Sequence, residues 1–137
     1  MKVATRYEGG KRFSGGEGAS TVLMDAGQQH GGRGEAHTPK QIVLQGLAGC
    51  AGIDVVMILE KKRVPFDGLT IEVEADETKY HPVVFKKIHI TYRARAPESS
   101  RAEIEHAIML SERTFCGVSA MLKKTAEITW ELFLETG

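Results

Sequence analysis

A chain of 137 residues with 18 basic and 18 acidic side chains has room for one core and carries no net field. That balance excludes recruitment of nucleic acid or an anionic membrane by charge alone. Two cysteines are too few for a disulfide-stapled secreted scaffold. The start, MKVATRYEGG, lacks the apolar core of a signal peptide, so a cytoplasmic protein is expected.

No repeat or linker divides the chain, and a single domain over residues 1–137 is expected. KVATRYE alternates Val3, Thr5 and Tyr7 with charged neighbours, as a half-buried strand does. EGG turns the chain, and RFSGGEGASTVLMD reads as further strand with a glycine-rich interruption. Residues 26–38, AGQQHGGRGEAHT, form a polar loop whose length points to function or to burial against a second subunit. Thr38 followed by Pro39 is a helix start, a hydroxyl cap before proline at the first helical position. That helix should run to about Arg63, ended by Pro65. Its apolar stretch, Ile42 to Leu59, is interrupted by Gln45, by small residues at 48–52 and by Asp54, which argues against a membrane span.

Strands are expected at 69–75 and at about 83–95, the latter with Ile88, Ile90 and Tyr92 on one face. SRAE at 100–103 reads as a capping box opening a helix with an Ile104, Ala107, Ile108, Ser111 stripe. A short helix at about 118–124 follows Cys116-Gly117. EITWELFL closes the chain as a strand with Ile128, Trp130, Leu132 and Leu134 aligned. The order β, β, α, β, β, α, short α, β predicts an α+β domain: one unusually buried helix against a mostly antiparallel sheet.

The long helix carries GLAGCAG at 46–52, three glycines around Cys50, each costing about 1 kcal/mol relative to alanine. At 100° per residue Cys50 shares a face with Val43, Gly46, Leu47, Ile53, Asp54 and Met57. Small neighbours there either let another backbone approach, with Cys50 as core filler, or leave a pocket over a reactive thiol. Asp54, one turn on, needs a cation or hydrogen-bond donors from another segment. Cys116 stands between two helices, where free N–H groups favour a thiolate, so by electrostatics alone it is the more acidic thiol. Alternatively Ser119 caps the short helix and Cys116 is filler. The separation of the cysteines excludes a CxxC motif but permits pairing in space. None of the five histidines has a ligand spacing to either cysteine, so no metal site is expected. No phosphate-loop, dinucleotide or nucleophile-elbow motif appears, and no cofactor is expected.

TPKQIVLQGLAGCAGIDVVMILEKKR, followed by FCGVSAMLKKTAEITWEL, resembles the OsmC/Ohr family of peroxide-reducing proteins, in its less characterised OsmC-like branch. The resemblance implies an OsmC-like α+β fold, an intertwined homodimer built on a long buried central helix, and sites at the subunit interface. It implies that Cys50 attacks an organic hydroperoxide and that Cys116 resolves the sulfenic acid as a disulfide. A dithiol reductant such as a lipoyl protein would reopen the bridge, with no nucleic acid or membrane involved. It also implies an arginine holding the thiolate, which Arg12 in GGKRF would supply, and a glutamate where this chain has Lys40. With the charge reversed at Lys40, Asp54 is expected to take part of that task. Lys40, Gly46, Leu47, Ile53 and Asp54 are the expected substrate contacts. Two other readings stay open: a non-catalytic dimer binding a small apolar or thiol ligand, and a structural dimer with core cysteines.

Overall fold

Helix α1, Pro39–Lys61, is bounded at both ends by side-chain and backbone geometry. A computed structural model describes residues 1–136. The Gln41 N–H donates to Thr38 Oγ1 at 3.3 Å and the Thr38 N–H to Gln41 Oε1 at 2.8 Å, a reciprocal capping box at TPKQ. At the other end Arg63 adopts φ 56°; Val64 N–H bonds Leu59 O at 2.9 Å and Arg63 N–H bonds Glu60 O at 3.1 Å. That is a Schellman stop with arginine in the place glycine usually takes.

The contacts divide the chain into two compact units, Met1–Leu44 and Gln45–Gly137. In the first, β1 (Thr5–Tyr7), β2 (Phe13–Gly15) and β3 (Val22–Met24) form an antiparallel meander. The expected glycine-rich interruption is a 3₁₀ turn at Gly18–Ser20. Gly16 beside it sits at φ +81°, where a Cβ would meet Ser20 O at 2.4 Å. The long polar loop is ordered around one carboxylate. Buried Asp25 accepts the N–H groups of Ala26 and Arg33, each at 2.8 Å, while its own N–H bonds His37 O at 3.0 Å.

In the second unit β4 (Gly68–Glu77) pairs antiparallel with β5 (Phe85–Arg95), and β5 pairs parallel with β6 (Glu127–Glu135). The parallel pairing follows from the crossover between β5 and β6, which contains α2 (Arg101–Leu110) and α3 (Gly117–Leu122). Ile88, Ile90, Tyr92 and Ala94 of β5 are buried together with Ile104, Ala107 and Ile108 of α2. Ser100 does not form the expected capping box. Its backbone is already helical, at φ −87° and ψ −11°, and its Oγ donates to Pro65 O at 2.8 Å.

Within this chain α1 is buried along one stripe, Leu47, Ala51, Val55 and Leu59, spaced by four. Ile53 and Met57 are each 63% exposed on its other side. By length and composition alone α1 could cross a membrane, a test that core helices also pass. Of the three glycines around Cys50, only Gly52 has a close neighbour: a Cβ there would lie 2.9 Å from Ile71 Cδ1, where α1 crosses β4. Gly46 and Gly49 face open space.

Replacing Thr38 with alanine removes the hydroxyl from the α1 cap. The expected cost is about 1 kcal/mol, read as a lower urea midpoint with an unchanged slope.

Candidate active site

Cys50 and Asp54 stand one turn apart on the same face of α1. The second sulfur reaches them because α2 does not stop cleanly. After Leu110 the chain widens into a π turn, Ser111–Phe115, closed by the Cys116 N–H on Ser111 O at 2.8 Å. Such wide turns concentrate at functional sites. Cys116 then turns extended and caps α3 itself, its sulfur accepting the Ser119 N–H at 3.3 Å. The alternative in which Ser119 caps α3 is therefore set aside.

Ser111 links the two segments: its Oγ donates to Asp54 Oδ2 at 3.0 Å. The partner that Asp54 required from elsewhere in the chain is thus a hydroxyl donor. Together these bonds bring Cys50 Sγ, Cys116 Sγ and an Asp54 carboxylate oxygen within 4.8 Å of one another. Both thiols are free; Cys50 is half-buried and Cys116 buried. Beyond them Ser119 Oγ donates to Glu112 Oε1 at 3.0 Å, and Lys123 Nζ pairs with the same carboxylate at 2.9 Å. Tyr92 is fully enclosed, and its hydroxyl is the buried side-chain polar atom without a hydrogen-bond partner among the described residues.

Burial pushes the Cys116 thiol up to about 11 from 9.0; the Ser119 N–H opposes this, while Cys50 and Asp54 add to it. The expectation that the start of α3 favours the Cys116 thiolate fails here. One N–H bond at the end of a six-residue helix does not offset burial beside a second thiol and a carboxylate. Tyr92 is also pushed up, chiefly by burial and then by Glu112, Cys116 and Asp54.

The remaining expected site residues fall in different surroundings. Gly46 and Ile53 are exposed on α1, while Leu47 is enclosed in the core, where a substrate in this chain does not reach it. Lys40 is exposed on the first turn of α1. Arg12, in the N-terminal unit, is paired with Glu35 at 3.2 Å. An arginine–glutamate pair therefore exists despite Lys40, made with an acid from the glycine-rich loop. Sequence reasoning missed Glu35 and the linking role of Ser111. The signal for Ser111 was present, since it is the one hydroxyl in the stripe that runs from Ile104 through Ala107 and Ile108. An apolar groove of about 200 Å³, lined by Met57, Ile58, Phe115 and the stem of Lys61, opens beside Asp54.

Paired thiols between a central helix and the start of a short one, on an α+β frame, define a thiol-bearing OsmC-type fold. The chain belongs to the OsmC-like protein family, whose family model matches residues 32–131. It is 30% identical over 132 residues to Protein YhfA of Escherichia coli K12, covering 94% of each chain. A crystal structure of a hypothetical protein from Aquifex aeolicus superposes with a TM-score of 0.78 at 25% identity, over 98% of this chain and 96% of that one. An organic hydroperoxide resistance protein OsmC from Legionella pneumophila shares the fold, with a TM-score of 0.70 at 15% identity over 96% of both chains.

Alkylation of Cys116 by iodoacetamide, followed by peptide mass mapping, is expected to accelerate with pH and to show its inflection only at about 11. Asp54→Asn removes a negative neighbour, so the same inflection should move to lower pH.

Proposed function

We propose that this protein reduces organic hydroperoxides to alcohols using Cys50 and Cys116 as a dithiol pair. The meeting of the two sulfurs, from segments far apart in the chain, is the observation that carries this reading. The family membership and the hydroperoxide-resistance name of the Legionella neighbour support it.

The Cys50 thiolate attacks the terminal oxygen of the hydroperoxide. Two electrons pass from sulfur into the O–O bond, which breaks and leaves an alkoxide and a Cys50 sulfenic acid. Cys116 retains its proton at neutral pH, which suits it poorly to the first attack and well to the second role. It gives that proton to the alkoxide, and the thiolate so formed attacks the Cys50 sulfur. Hydroxide leaves, takes a proton to become water, and the disulfide forms. A dithiol such as dihydrolipoamide reopens it by exchange.

Asp54, held by Ser111, is assigned to accept the hydroperoxide O–H and aim its terminal oxygen at Cys50. The groove edged by Met57 and Phe115 suits an apolar tail. Arg12, held by Glu35, keeps the thiolate-stabilising role that the family resemblance gives it. The exposed apolar side of α1, with Ile53, Met57 and the open Gly46 and Gly49, supports the homodimer of the family.

Purified protein supplied with dihydrolipoamide should consume cumene hydroperoxide catalytically. Cys50→Ser should abolish this, and Cys116→Ser should consume one equivalent and stall. A wild-type rate no greater than that of Cys50→Ser would favour the non-catalytic binding reading instead.

A further inference from the structure

We propose that the reduced protein binds one zinc(II) ion through Cys50 Sγ, Cys116 Sγ and an Asp54 carboxylate oxygen, with a fourth position left open. Chain spacing hid this site because its ligands are divided. Two come from one face of α1, a turn apart, and the third from the junction between the π turn and α3. The three donor atoms lie within 4.8 Å of one another. Tetrahedral zinc, with sulfur at about 2.3 Å and oxygen at about 2.0 Å, asks for donors about 3.5–3.8 Å apart. Closing the remaining gap takes about 1 Å of side-chain movement, within the reach of the χ torsions of cysteine and aspartate.

The donor set selects the metal. Two thiolates with one carboxylate suit zinc and disfavour magnesium or calcium, which take oxygen ligands. The surrounding hydrogen bonds are of the kind that orient ligands. Ser111 Oγ donates to Asp54 Oδ2, while the Ser119 N–H holds the Cys116 sulfur. Tyr92 is enclosed, and its hydroxyl has no hydrogen-bond partner among the described residues. Half-buried Cys50 provides the way in.

A consequence follows that rests on the proposed function, whereas the metal site itself does not. Zinc-bound sulfurs are unavailable to peroxide, so ion and substrate compete. When peroxide wins, the two thiolates give two electrons to the O–O bond, two solvent protons complete alcohol and water, and the zinc ion leaves.

Metal-free, reduced protein titrated with cobalt(II) should show thiolate-to-cobalt charge-transfer absorption that saturates at one equivalent and is erased by zinc(II). Competition against a chromophoric zinc chelator should show Asp54→Asn weakened about tenfold or more, and Ser111→Ala weakened by about tenfold. Wild type blocked at its thiols with methyl methanethiosulfonate should bind none, a control that needs no substitution. Circular dichroism reports whether each variant folds. Absence of the charge-transfer band in wild type overturns the site, and so does equal affinity in folded Asp54→Asn, which would leave a bare dithiol chelate. Peroxide turnover measured separately in chelator keeps the two readings apart: binding without turnover sinks only the peroxidase, and turnover without binding sinks only the metal site.

Discussion

Ser111 holds the site together. Its hydroxyl fixes Asp54 on α1, and its carbonyl closes the π turn on the Cys116 N–H, so one residue sets both the angle and the distance at which the second sulfur approaches the first. It is 1% exposed. Without that link, Cys116 would be the end of one helix and Cys50 the middle of another. With it, they are neighbours.

The cluster also shows how a fold can keep reactive groups in a largely dry interior. A protonated thiol is nearly apolar and costs little to bury, which is why Cys116 holds its proton well above neutrality. Asp54 is the half-buried carboxylate of the cluster, and the Ser111 hydroxyl meets part of its demand for donors. Glu112 is met in the same way by Ser119 and Lys123. Tyr92 is the exception, a buried hydroxyl with no hydrogen-bond partner among the described residues.

Much of the architecture could be read from sequence because periodicity is local. The α1 limits, the faces of β5 and β6 and the stripe of α2 all follow from spacing and caps, and the structure agrees at each. Misreadings occurred where a side chain had a distant alternative partner. Ser100 left its capping box for Pro65 O, and the hydroxyl at Ser111 crossed to Asp54. The same limit applied to charge: Lys40 looked like the loss of an arginine–glutamate pair, but Glu35, twenty-three residues from Arg12, makes one. The low acidity of Cys116 was hidden because burial, the largest influence on it, is a property of the folded chain.

The central claim is that Cys50 and Cys116 form one redox unit. It is tested most directly by treating reduced protein with one equivalent of cumene hydroperoxide and digesting it without reductant. The account predicts a loss of two hydrogens in mass and a single cross-linked peptide joining Cys50 to Cys116. Cys50 recovered as sulfinic acid beside an intact Cys116 thiol would contradict it.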